Sequence, residues 1–116
     1  MEVRPNFIIA GVVKGGTTSI FSYLSGHPDI CSSRVKETCY YLNVRYREPL
    51  APISEYEKQF GHYNGEKIIM EATPGYFYGG PNLVNKINSD LDGVRILVVL
   101  REPISRFFSF YFFWIQ

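Results

Sequence analysis

The residues of this 116-residue chain best suited to chemistry lie in Gly11-Val12-Val13-Lys14-Gly15-Gly16-Thr17-Thr18-Ser19. Gly11 and Gly16, five apart and followed by hydroxyl residues, match the frame of a phosphate-binding loop, G-x-x-x-x-G-K-[ST]. Thr17 stands where that frame carries its lysine, and the lysine is found earlier, at Lys14. Loop amides and the positive end of the following helix can still hold a phosphate, with the Thr17 and Thr18 hydroxyls as added donors. An ammonium at Lys14, inside the loop, suits neutralising a leaving oxygen at the ligand's terminal group rather than cradling a triphosphate. Gly-rich strand-to-helix turns also serve packing alone. The phosphate reading therefore rests on the strand before the loop, the helix after it, and Lys14, Thr17 and Thr18 together.

Arg101 directly follows the apolar run that ends at Leu100. A nucleotide triphosphatase is expected to carry an Asp at the end of such a strand to hold magnesium. An arginine there is instead a bidentate anion ligand. With a helix beginning near Ser105, Ser105 and Ser109 share one face, so Ser109 adds a second polar group on that side. Two anion sites on one ligand describe a nucleotide with phosphates at separate positions, bound without a metal. Glu37, beside Lys36, is either a solvated ion pair or a carboxylate able to accept a proton from an attacking hydroxyl or amine. Glu71 ends a strand, where it faces the crevice or belongs to the Thr73-Pro74 turn. His27 and His62 sit in turns and join no metal-ligand pattern, and Cys31 and Cys39 form no C-x-x-C pair and read as free thiols. Tyr76, Phe77 and Tyr78 either line an acceptor groove or pack against the sheet.

These residues need a frame to position them, and the apolar pattern supplies it. Phe7 to Val13 is a continuous apolar run rich in β-branched residues, as a parallel strand covered on both faces requires. Thr17 to Ser25 sets Ile20, Phe21 and Leu24 on one helical face, and Gly26 with Pro28 ends that helix. Ser54-Glu55-Tyr56-Glu57 reads as a capping box opening a short helix. Lys67 to Glu71 is a second buried strand and Val94 to Leu100 a third, strongly apolar one, with a helix from Pro81 to about Ser89 between them. The alternation predicts an α/β fold with a P-loop-like parallel sheet, helices on both faces and a site at the carboxyl ends of the strands.

Lys and Arg number 12 against 11 Asp and Glu, giving a formal net charge of +1, and 46% of the chain is hydrophobic. That balance excludes disorder and gives no electrostatic ground for a nucleic-acid partner. The N-terminus has no apolar leader, and no apolar run is long enough to span a bilayer. The expected location of the chain as it stands is cytoplasmic, with the Golgi lumen as the alternative if an upstream anchor has been lost. Seven aromatic residues crowd between Phe107 and Gln116. A helix there from Ser105 is apolar nearly all round and calls for further protein to cover it.

Taken together, Lys14-Gly15-Gly16-Thr17-Thr18-Ser19, Lys36-Glu37-Thr38-Cys39-Tyr40-Tyr41, Glu71-Ala72-Thr73-Pro74-Gly75-Tyr76 and the run from Arg101 to Tyr111 resemble the sulfotransferases that use 3′-phosphoadenosine 5′-phosphosulfate (PAPS). The likeness is greatest to the heparan-sulfate and other carbohydrate branch, and the elements occur in family order. The resemblance implies that residues 1–116 are the N-terminal part of a single sulfotransferase domain, with the sheet incomplete at its C-terminal end and the remainder of the domain as its partner. It further implies that Lys14 contacts the phosphosulfate and stabilises the leaving phosphate, that Gly15, Gly16, Thr17 and Thr18 bind the 5′-phosphate, and that Arg101 and Ser109 bind the 3′-phosphate. Glu37 falls at the catalytic base, the co-substrate is PAPS without a metal, and the acceptor is a hydroxyl or amine, carbohydrate by preference. Ala72 departs from the pattern, since relatives often carry a lysine there. A nucleotide kinase or triphosphatase, or a nucleotide-binding fragment without turnover, are the alternatives.

Overall fold

The computed structural model describes residues 3–11 and 16–100. Lys14, Gly15, Arg101, Ser109 and the aromatic segment from Ser105 lie outside them. Four strands form one parallel sheet: β1 (Phe7–Gly11), β2 (Ile30–Ser32), β3 (Ile68–Ala72) and β4 (Arg95–Val98), in the order β2-β3-β1-β4. The pairing register sets Ile8 opposite Glu71 on one side and Ile96 on the other, and it shifts between Ile9 and Gly11 beside β4. Helix α1 (Thr17–Ser25) follows β1, α2 (Leu42–Arg45) and α3 (Ile53–Glu57) lie between β2 and β3, and α4 (Gly80–Asp90) leads into β4.

Strand alternation divides the core. Ile9, Met70 and Ala72 point to one face, where Ile20, Phe21 and Leu24 of α1 cover them, as the helical spacing requires. Ile8 and Ala10 point to the other, against Tyr41, Tyr56, Phe60, Tyr76 and the Leu83 and Ile87 ridge of α4. The expected helices on both faces are therefore present. The aromatic side is tightly interlocked: Tyr40 stacks on Tyr56 at 4.5 Å between ring centroids, and Tyr41 meets Tyr56 edge-on at 5.3 Å.

Local differences from the sequence reading have physical causes. Ser54 caps nothing: α3 opens one residue earlier, behind Pro52, and no side chain bonds to its first amides. Glu57, the capping box's other half, instead pairs with Arg4 at 3.0 Å and ties the N-terminal segment to α3. Strand β2 is only three residues long, too short to leave a periodic signal. The Thr73-Pro74 turn continues as a 3-10 helix, Pro74–Tyr78, with Pro74 where its fixed φ suits the first turn. Cys31 and Cys39 are both free thiols. Among the described residues no helix is long and apolar enough to cross a membrane.

The end of β1 and the Pro74–Tyr78 turn meet closely at Gly11. A Cβ added there would come within 2.6 Å of the Phe77 Cβ, an approach that only glycine permits. Gly11→Ala in the full chain is expected to lower stability by about 2 kcal/mol through this overpacking, measured as a reduced urea midpoint with unchanged slope. A wild-type midpoint would mean that Phe77 does not pack against the end of β1.

Candidate functional site

The chain leaves β1 toward one face of the sheet, through α1, and leaves neighbouring β3 toward the other, through the Pro74–Tyr78 turn and α4. Adjacent strands whose connections part in this way open a crevice at their carboxyl ends, the place where open parallel sheets bind ligands. Gly16, Thr17 and Thr18 stand together at that edge. Gly16 adopts a left-handed conformation, φ 90°, which favours glycine and turns the backbone directly into α1. Being glycine, it offers no side chain to the first amides of the helix, and no side-chain cap bond is made there. Thr17 is buried against the sheet, while Thr18 is exposed. This combination fits a phosphate: a helix start with amides left for an outside acceptor, a positive dipole end and an accessible hydroxyl.

Glu37 lies in the segment between β2 and α2, exposed, and its carboxylate pairs with Lys36 at 3.1 Å. Such a pair is weak in water, so it leaves the carboxylate available. The structure connects its segment firmly to the end of β3. Backbone N–H groups of three successive residues donate to three hydroxyls: Cys39 to Thr73 Oγ1 at 3.3 Å, Tyr40 to Thr38 Oγ1 at 3.3 Å and Tyr41 to the Tyr76 hydroxyl at 3.2 Å. Cys39 is held at φ 57°, a backbone state uncommon outside glycine.

All three hydroxyls converge on Glu71. Its carboxylate is wholly buried. It accepts from Thr73 at 2.6 Å, Thr38 at 2.8 Å, Tyr76 at 3.0 Å and, closest of all, Tyr56. Of the two positions open to it from the sequence, Glu71 thus takes the structural one, facing the aromatic core. Burial pushes its pKa up, and the bonds from Thr73, Tyr56, Thr38 and Tyr76 pull against that rise. Burial and the adjacent Glu71 charge likewise push the Tyr56 and Tyr76 hydroxyls up. Tyr41 is raised by burial and by Asp90, to which it donates at 3.1 Å.

The remaining candidates separate cleanly. Tyr76 is buried, whereas Phe77 and Tyr78 remain exposed at the end of β3. His27 accepts the Asp29 N–H through Nδ1 in its turn, and His62 bonds the Ser32 carbonyl at the end of β2 through Nε2, so both are structural. Ala72 is wholly buried beside Ile9 and Met70, so position 72 brings no cation to the crevice. Sequence reasoning missed Thr38, Tyr41 and Tyr56 as members of a network. The one available signal was Glu71 itself: a carboxylate in an apolar run of strand residues demands donors, and Thr73 follows two positions later.

No family model matches the chain. It is 34% identical over 112 residues to the membrane-associated sulfotransferase kil1 of Dictyostelium discoideum, a match covering 97% of this chain and 23% of that protein. Heparan sulfate glucosamine 3-O-sulfotransferase 3B1 of Mus musculus is 31% identical over 109 residues, covering 92% of this chain and 26% of the relative. The chain thus spans about a quarter of these relatives' length. Among solved structures, the sulfotransferase from Alicyclobacillus acidocaldarius superposes with a TM-score of 0.82 at 28% identity, over 97% of this chain and 51% of that one.

The raised tyrosine pKa values carry a pH dependence. A hydroxyl whose folded pKa lies above its ordinary value of 10.0 contributes stability that is complete below that pH and is lost as pH rises beyond it. Alkaline titration should therefore unfold the full chain, with the tyrosinate signals of Tyr41, Tyr56 and Tyr76 appearing together with the loss of near-ultraviolet circular dichroism. Tyrosinate absorbance from all nine tyrosines before any unfolding would contradict this burial.

Proposed function

From its likeness to sulfotransferases in sequence and in fold, we propose that this chain belongs with them and carries the donor-binding half of a site transferring a sulfuryl group from PAPS to a hydroxyl or amine acceptor, carbohydrate by preference. The observation that carries the reading is the turn from β1 into α1. The central strand delivers an uncapped helix start, through left-handed Gly16, to the crevice where the connections of β1 and β3 part.

In this reading the amides of Gly15, Gly16, Thr17 and Thr18, with the threonine hydroxyls, receive the 5′-phosphate, and Arg101 and Ser109 receive the 3′-phosphate. Glu37 accepts the acceptor's proton as its oxygen or nitrogen forms a bond to sulfur. The bond from sulfur to the phosphate oxygen breaks in the same in-line displacement, and its electron pair leaves with adenosine 3′,5′-bisphosphate. Lys14 neutralises the charge that develops on the departing oxygen. Nothing in this sequence of steps calls for a metal: lysine and the helix end supply the positive charge. The kil1 and heparan-sulfate relatives support the reaction class, and the latter's name supports a carbohydrate acceptor.

Calorimetric titration of the full chain with adenosine 3′,5′-bisphosphate and with ATP, each with and without magnesium, tests the donor site. Binding of the bisphosphate independent of magnesium is expected. Magnesium-dependent ATP binding would instead favour a kinase or triphosphatase. Bisphosphate binding without transfer to any hydroxyl or amine acceptor, carbohydrates included, would leave a nucleotide-binding protein without turnover.

Two substitutions test the chemistry. Lys14→Ala should raise the transfer barrier by about 3 kcal/mol while weakening nucleotide binding only modestly, because the loop amides remain. Glu37→Gln should lower kcat by roughly 10²-fold or more, the usual contribution of a general base. Near-normal turnover in either variant would remove that residue from its role.

A further inference from the structure

The buried carboxylate at Glu71 has a use beyond holding the core together. We propose that Glu71 is a positioning residue for the transfer reaction, fixing the segment that bears Glu37 at the end of β3 through the hydroxyls of Thr38, Thr73 and Tyr76. This rests on the reading of Glu37 as the proton acceptor.

The geometry is a two-tier relay. In the outer tier, the amides of Cys39, Tyr40 and Tyr41 each donate to a different hydroxyl oxygen. In the inner tier, each of those hydroxyls donates its own proton to Glu71. An oxygen that already accepts an amide proton directs its O–H away from that amide, so the amides and the carboxylate orient the hydroxyls between them. The residue after Glu37 is itself a member: Thr38 bonds Glu71 through its side chain, placing the Glu37 backbone one peptide from the hub. The left-handed backbone of Cys39 lies within the same span. The Cys39 and Tyr41 amides and the Thr38 hydroxyl tie the segment to the end of β3 at three points, and the Tyr40 amide closes a local turn on Thr38, so the segment has little freedom to translate along the sheet edge.

Glutamate is suited to this role because an ionised carboxylate offers acceptor sites on both oxygens and no donor. Oε1 takes Thr38 and Thr73, and Oε2 takes Tyr56 and Tyr76. Glutamine would set an NH2 group against two inward-pointing hydroxyls. Those hydroxyls would have to turn their O–H groups away and find other acceptors inside the core. Glu71 reaches no solvent, so it cannot itself touch an acceptor molecule.

The test is a double-mutant cycle in the full chain, using Thr38→Val, Glu37→Gln and both together, with Thr38→Ser as the conservative variant. Thr38 is chosen because valine keeps its shape, whereas Glu71→Gln can unfold the core. Thr38→Val is expected to lower kcat about tenfold, with affinity for adenosine 3′,5′-bisphosphate within about twofold of wild type, because misplacement of a catalytic group acts on turnover. Thr38→Ser should restore most of the rate. Added to Glu37→Gln, Thr38→Val should cost less than about twofold more, since it acts through the group already removed. A silent Thr38→Val beside a disabled Glu37→Gln overturns the proposal alone. A full additional loss in the double variant, or an equal loss of nucleotide affinity, also overturns it, because a merely structural role predicts either. An active Glu37→Gln overturns the reading of Glu37 and, with it, the positioning role.

Discussion

A carboxylate placed inside a β-sheet must find donors or cost the fold dearly, and Glu71 satisfies that demand with Thr38, Thr73, Tyr56 and Tyr76. Hydrogen bonds to a charged group contribute about 1.5–3 kcal/mol each, and leaving such a group unpaired costs more. The donors come from different parts of the chain. Thr38 lies beyond β2, Tyr56 belongs to α3, and Thr73 and Tyr76 follow β3. One buried charge therefore dictates where separate segments stand relative to the sheet. The aromatic rings that bring two of these hydroxyls inward are also the bulk of the core on that face, so polar and apolar demands select the same packing.

The opposite face is simpler, and the contrast explains the shape of the crevice. Ile20, Phe21 and Leu24 of α1 lie on Ile9, Met70 and Ala72, an apolar contact without buried ionisable groups. That packing needs only a helix of the right face, and it places the start of α1 at the end of β1. Gly16 makes the reversal, and Gly11 admits Phe77 beside the strand end. The helix start and the Glu37 segment are thus brought to the same sheet edge by independent means, one by apolar packing and the other by the Glu71 relay.

Likeness in sequence and likeness in fold point the same way. Identities of 34% and 31% to two sulfotransferases accompany a TM-score of 0.82 to a third. At position 72 the alanine is wholly buried with Ile9 and Met70 under α1.

By itself the sequence determined the strand–turn–helix unit. A continuous apolar run rich in β-branched residues, two glycines and an apolar helical face point together to one local structure, and α1 spans the expected Thr17–Ser25. It also determined the parallel sheet with helices on both faces, because alternating strand and helix signals leave few other topologies. Short elements escaped it: β2 has three residues and α2 four, below the length at which periodicity speaks. Ser54 misled because a capping pattern is only a local preference: the helix starts behind Pro52, and Glu57 at its other end pairs with Arg4. Only the tertiary structure decided the fate of Glu71. Its donors are drawn from as far as 33 residues away, and no local pattern records which distant hydroxyls will meet a carboxylate once the sheet has closed around it.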